Sequence, residues 1–472
     1  MKLKMLLLLL WFPLIVCSQT VLSRHHLELT KPEKHHQIIH AVNDLTKELF
    51  VIAADKEKLN VHKYNSAIFL SDSLIVELPE IKDFPILIGT SFDDQGIPSA
   101  YFASEDYKKV LALQCNLKEK TAIRKTSTFT FQDESLLYTF QSDNKFYFLA
   151  SGTAKENENK LKLYVFTNGV ATPFVIDFSP YKIVNQRNNI ISVKELFEAN
   201  PLELIDQRNF VPLVSGAAKS KLFIDRSNLY LTFDHNLAST QVFEINLLSF
   251  SVSEHFIAQE QLSSGPGESN SFYHSGVLYQ LKLNEQQLAL SATDLMTEDL
   301  IQTYTTSVSE EIKFKNSPLL MQIGSRPPRE FKNARKFLEK AGNSNAAITV
   351  YKTPDHFLIT SGAIRSIAST EDVMLGIIAI GAGMSDGDVE ISGFDRSNIQ
   401  SFFFESLFDE KFNHATVAQT PLAADALSNF LAESKDVSLE TVTPYDGYFI
   451  LGYYDKEAKT YVLRKFEDYR RY

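Results

Sequence analysis

The sequence predicts an all-β protein, and three observations carry that prediction. From about residue 36 onward, short runs of β-branched and aromatic residues alternate with polar turns. Groups of four such runs recur, each group filling about 35 to 50 residues. Helical periodicity is confined to a few segments that interrupt this rhythm. The composition agrees: of 472 residues, 44% are hydrophobic and 22% charged, with 18 Gly and 16 Pro, which suits a packed globular chain and excludes a disordered or fibrous one. A formal charge of -11 gives no footprint for nucleic acid, and two cysteines cannot build a disulfide framework.

Taken in order, the first element is a leader. Lys2 and Lys4 precede the apolar run Met5 to Val16, which is too short to span a bilayer and reads as a secretory signal peptide over residues 1–18. Leu14-Ile15-Val16-Cys17 resembles a bacterial lipobox, although Val16 stands where a small residue is expected; a lipid anchor at Cys17 is therefore the rival to simple cleavage after Ser18. No later run reaches membrane-spanning length, and no N-glycosylation acceptor is present. The expected location is outside the cytoplasm: bacterial periplasm, outer-membrane associated, or secreted.

A strand-like run, Thr20 to Thr30, comes next. Four-run units then begin near residues 36, 84, 136, 220, 271 and 346. The last unit, from about 439, has three runs, Leu439 to Thr443, Tyr448 to Tyr454 and Tyr461 to Phe466, so residues 20–30 are expected to supply its fourth strand. The hairpins Phe50 to Glu57 and Phe449 to Glu457 look alike. Three segments carry helix signals, within insertions at about 179–218, 306–345 and 395–438. Ser192 and Glu195 form a capping box; Arg326 to Ala341 has prolines in its first turn and Gly342 as a stop; Thr420 to Ala432 opens on Pro421.

This pattern resembles the β-propeller superfamily, over nearly the whole of residues 19–472, which are expected to form a single domain of seven blades. The resemblance rests on pattern alone. The only tryptophan lies in the leader, so Trp-Asp pairs and Asp-box tryptophans are missing, as are kelch-type double glycines. Paired β-sandwiches are the alternative architecture. The resemblance implies that the three insertions, falling between one blade's last strand and the next blade's first, cap one face together with the loops joining second and third strands.

Several constellations invite a chemical reading. His36 and His40 share a face and could bind a metal, but Gln37 stands where the metalloprotease motif needs Glu, and no third ligand is indicated. The acidic hairpins Asp93-Asp94-Gln95-Gly96 and Asp386-Gly387-Asp388 lack the spacing of a calcium loop and read as turn chemistry. Gly381-Ala382-Gly383 precedes a strand rather than the helix that a phosphate cradle needs. Cys115 reads as buried packing. No cofactor and no metal are expected.

Two functions fit. The first is a non-catalytic binding or scaffold propeller for a partner protein or surface glycan. The expected site is Arg329, Lys332, Arg335 and Lys336, a cationic cluster in an acidic chain, beside the Asp55 to Glu57 and Asp455 to Glu457 turns. The alternative is a propeller hydrolase or lyase acting on polysaccharide or peptide, whose carboxylates would be paired only in space.

Overall fold

A computed structural model of the protein describes residues 19–30, 35–129, 134–186, 189–324, 326–366 and 399–469. The leader with Cys17, and the Gly381 and Asp386 segments, lie outside the described residues. The described residues divide into two compact units, a larger one within residues 29–419 and a smaller one that joins residues 19–28 to 420–469.

In the larger unit the first sheet is an antiparallel meander of Gln37–Val42, Leu49–Ala54, Lys58–Tyr64 and Leu70–Glu77. The second repeats it with Ile86–Phe92, Pro98–Ala103, Lys109–Asn116 and Thr121–Thr128. The third comprises Glu134–Ser142, Lys145–Gly152, Lys160–Thr167 and Val170–Asp177. The fourth comprises Ser220–Asp225, Asn228–Phe233, Ser239–Asn246 and Val252–Ala258, with Leu202–Ile205 added parallel to its first strand. The fifth comprises Glu268–His274, Val277–Leu283, Gln287–Asp294 and Leu300–Ser307.

Within each sheet, burial follows strand position. Second strands such as Leu49–Ala54 and Pro98–Ala103 are buried along their whole length, because both faces of the sheet pack on neighbours. Fourth strands alternate buried and exposed residues, as in Leu70–Glu77. Successive four-stranded meanders of this kind are the blade pattern of a β-propeller; the protein is all-β and resembles the propellers.

The sixth sheet departs from the expected connectivity. Its strands Asn345–Lys352, Phe357–Ser366 and Ile399–Phe408 follow in order, but the next position is filled from earlier in the chain by Leu320–Ile323, with Arg329–Glu330 beyond it. The insertion expected at 306–345 therefore contributes strands as well as a helix, and that expected at 395–438 contains the strand Ile399–Phe408. The rest of the Ile399–Phe408 edge is closed by side chains and backbone together: Asn316 Oδ1 accepts from Leu407 N–H (2.7 Å) and Ser317 Oγ from Glu405 N–H (2.8 Å), while Asn316 N–H donates to Glu405 O (2.7 Å) and Ala415 N–H to Leu407 O (2.8 Å).

Among the described residues, four α-helices interrupt the strands. Helix α1, Val193–Ala199, has the expected capping box, with Ser192 and Glu195 serving each other's backbone N–H. Helix α2 is a single turn, Leu213–Gly216. Helix α3, Ala334–Ala341, starts later than its sequence suggests. Pro327 and Pro328 precede an extended pair rather than opening the helix, and Asn333 is the N-cap, its Oδ1 accepting from Lys336 N–H (3.1 Å). Helix α4, Ala423–Glu433, belongs to the smaller unit, where its first N–H donates to Asp468 Oδ1 (2.7 Å).

In the smaller unit, Val437–Tyr445, Tyr448–Asp455 and Thr460–Phe466 form a meander, and Gln19–His26 is its fourth strand. The register runs antiparallel from Gln19 opposite Phe466 to His26 opposite Thr460, as the missing strand required. Helix α4 packs on this sheet through Phe430, which meets Tyr453 and Phe466 at 5.4 and 5.8 Å, with Arg464 over its ring at 4.6 Å.

Candidate functional site

In the larger unit, two helices sit on connections between second and third strands. On the third sheet's 153–159 connection, Val193 N–H donates to Asn159 Oδ1 (3.0 Å) and Lys194 N–H to Glu158 O (2.9 Å), fixing the start of α1. Helix α3 ends on the 284–286 turn of the fifth sheet. Gly342 approaches that turn so closely that a Cβ would lie 2.3 Å from the Asn284 carbonyl carbon, and Asn343 Nδ2 donates to the Glu285 carboxylate.

The helix α3 segment carries the cationic cluster. Ala334, Phe337, Leu338 and Ala341 are buried, and the Phe337 ring lies 5.9 Å from Phe331 and 5.7 Å from Phe404. Arg335 and Lys336 are left on the opposite side, exposed, and Arg329 and Lys332 are exposed in the approach to the helix. A rigid apolar anchor therefore holds four cations in solvent, with Glu330 and Glu339 the acidic residues interspersed.

The acidic turns behave differently. Asp55 is fully buried: Oδ1 accepts from Glu57 and Lys58 N–H (both 2.8 Å) and Oδ2 from Thr30 N–H (2.9 Å). Burial raises its pKa, but these backbone donors outweigh burial and leave the carboxyl below its ordinary value. Asp55 is thus a turn cap that no partner can reach. Glu57 is exposed, 3.5 Å from Lys56. In the smaller unit, Asp455 caps its own turn, accepting from Glu457 and Ala458 N–H (3.1 and 3.0 Å), while Glu457 is exposed. The two hairpins that look alike in sequence share this capping by a buried or half-buried Asp.

Asp93 is also a turn cap, accepting from Gln95 and Ile97 N–H (2.9 and 2.8 Å) and from Gln114 Nε2 (2.9 Å). His36 Nε2 lies 2.6 Å from Thr30 O, and burial lowers the pKa of His40 to about 3. Among the described residues, no group of three His, Cys, Asp or Glu could hold a metal ion. Burial pushes the Cys115 thiol up to about 12, so it stays protonated at neutral pH.

A feature without a sequence signal lies between the fourth and fifth sheets. Lys221 and Asp234, both fully buried, pair at 3.1 Å. Lys221 Nζ also donates to Asn270 Oδ1 (2.6 Å), and Asp234 accepts from Thr240 Oγ1 (2.7 Å) and from Ser271 N–H and Oγ (2.9 and 2.8 Å). Burial raises the Asp234 pKa, and Lys221 together with the hydroxyl donors lowers it further than burial raises it. Lys221 opens the apolar run Lys221-Leu222-Phe223-Ile224, and nothing in that run reveals a carboxylate partner.

The fold and this end of it define a β-propeller-like protein with a helix-anchored cationic surface. No family model and no curated protein matches the chain. Among solved structures it is similar to the WD40 domain of SCAP from fission yeast, at 8% identity and a TM-score of 0.34, covering 95% of this chain and 97% of that one. It is also similar to the Nup133 β-propeller domain of Vanderwaltozyma polyspora, at 9% identity and TM-score 0.35 over 96% and 97% of the two chains. The Dos1 propeller gives 6% identity and TM-score 0.28 over 96% of each. At these scores the fold rests on the strand pairing itself.

Proposed function

We propose that the protein is an exported, seven-bladed binding propeller, non-catalytic, whose helix-bearing end receives an acidic partner, either a protein or a surface glycan. One observation carries this reading: Arg329, Lys332, Arg335 and Lys336 are exposed together on a segment clamped by buried Phe337 and Leu338, in a chain whose formal charge is -11. Cations held on a rigid element suit recognition, because little ordering remains to be done on binding. Residues 1–18 direct export, with a lipid at Cys17 as the alternative processing.

The double variant Arg329→Glu/Lys336→Glu should lose capture of its partner from envelope extracts, most at low salt, where exposed charges are least screened. Both residues are exposed, so the variant should fold; parent-like capture removes the cluster from the site. Intact mass of the envelope form tests export: a chain retaining Met1 to Val16 refutes it, and an added diacylglyceryl group locates the anchor.

A further inference from the structure

At the other end of the larger unit's sheets, where first strands join second and third join fourth, several turn tips are apolar. Leu45 is 82% exposed, Leu248 69% and Met296 90%. The three occupy the same place in the same device. Each donates its N–H to an Asx side chain two residues earlier: Leu45 to Asn43 (3.0 Å), Leu248 to Asn246 (2.9 Å) and Met296 to Asp294 (3.0 Å). Turns of this kind select polar residues at such exposed positions. Phe69, 66% exposed, stands on a fourth tip, where Asn65 Oδ1 accepts its N–H (3.0 Å). The residue before it, Ile68, is held at φ 62, a strained setting for a β-branched side chain.

Hydrogen bonds tie these turns into one platform. Asp44 N–H donates to Asn144 Oδ1 (2.8 Å) and Asn144 N–H to Asp44 Oδ2 (3.2 Å), joining the first sheet to the third. Ser227 Oγ donates to Asp143 Oδ2 (2.6 Å), joining the third to the fourth, and Tyr273 OH donates to Asp225 Oδ2 (2.8 Å), joining the fourth to the fifth. The tip turns hang on this chain through Leu247 N–H to Ser227 O (2.7 Å) and Leu295 N–H to Gly276 O (2.9 Å). Lys63 and Glu48, paired at 2.8 Å, connect the Phe69 turn to the Leu45 turn.

We propose that this end rests on a lipid bilayer, with Leu45, Phe69, Leu248 and Met296 entering the boundary between headgroups and acyl chains. Leu45 lies between Asp44 and Thr46, Leu248 precedes Ser249 and Met296 precedes Thr297, so the tips are separate points rather than one patch. A protein partner packs on a contiguous apolar core, whereas a bilayer needs only apolar side chains projecting from one polar end. Charges of both signs accompany the tips: Asp44 and Lys47, Asp225 and Arg226. Apolar insertion, rather than attraction to anionic headgroups, therefore carries the contact. This inference does not depend on the cationic cluster or on what binds there.

Flotation of the full chain with phosphatidylcholine vesicles tests it. Inserting one large apolar side chain is worth about tenfold in partition, so Leu45→Ser/Phe69→Ser/Leu248→Ser/Met296→Ser should lower binding by at least about 100-fold. An environment-sensitive label at Met296→Cys, in a Cys17→Ser background, should shift to the blue on vesicles, and the same label at Lys336→Cys should not; this readout is local and independent of residues 1–18. Parent-like flotation of the folded quadruple variant, or an unshifted Met296→Cys label, overturns the proposal. Binding that appears only with phosphatidylglycerol and disappears in high salt also overturns it, by assigning the contact to charge.

Discussion

Between the second and third sheets, Tyr101 stacks on Phe146 at 4.8 Å, and Phe166 meets Tyr101, Phe146 and Phe148 at 5.0 to 5.2 Å. Between the fourth and fifth, the corresponding space also holds the Lys221–Asp234 pair, whose donors and acceptors extend through Thr240 to Gln259 and Gln280. Both seams hold rings, Tyr230 stacking on Tyr273 at 3.9 Å in the second, but the fourth–fifth seam adds an ion pair of the fourth sheet that is hydrogen-bonded across to Asn270 and Ser271 of the fifth. The aromatic seam is non-directional, so its cost on damage follows lost volume and contact. The ionic seam is all-or-none: intact it is neutralised and hydrogen-bonded, while half of it is a buried charge without a counterion.

Four experiments probe that contrast. The largest effect is expected from Lys221→Ala, which strands Asp234 and should cost about 3–5 kcal/mol in denaturant unfolding. The double variant Lys221→Met/Asp234→Leu should recover most of that loss; if it is as unstable as the single variant, packing rather than pairing holds the seam. Next, Gly89→Ala places a Cβ 2.3 Å from the Phe146 ring and should destabilise the aromatic seam by about 1–3 kcal/mol through overpacking.

Acid should separate the two seams further. The folded-state pKa of Asp234 is lowered, so its contribution is present above the unfolded-state value and is lost as pH falls through the folded one. Acid titration of stability should therefore be steeper for the parent than for Lys221→Met/Asp234→Leu, and equal slopes would contradict the assignment. The smallest effect is expected from Ser91→Ala, which removes the 2.8 Å partner of Tyr101 OH and should cost about 1 kcal/mol by calorimetry.

The same contrast explains what could be read from sequence. Aromatic and β-branched runs announce strands and their buried faces wherever they occur, so the meanders, the capping box at Ser192 and the three-run last sheet with its strand from Gln19–His26 were all legible. The placement of Leu320–Ile323 in the sixth sheet was not, because Leu320 pairs with Phe403 and local pattern carries no information about so distant a partner. Pro327 and Pro328 suit a helix start and an extended approach equally, and the adjacent sheet edge decided for the latter. At the candidate site, the exposed cations follow from helix periodicity around Phe337, but Asp55 and Glu57 look equivalent in a short polar turn. Which of them turns inward depends on the N–H of Thr30, arriving from outside the hairpin.

The strand Gln19–His26 has a consequence for how the molecule comes into being. Its partner, Thr460–Phe466, is made only after all six sheets of the larger unit have been synthesised, so the strand waits through that whole interval without its ladder. Closing so long a loop costs entropy that no local contact returns beforehand, which makes this ladder one of the slow steps of assembly. Until then Thr460–Phe466 has an unpaired edge, and a newly made chain is exposed there to mispairing with another copy.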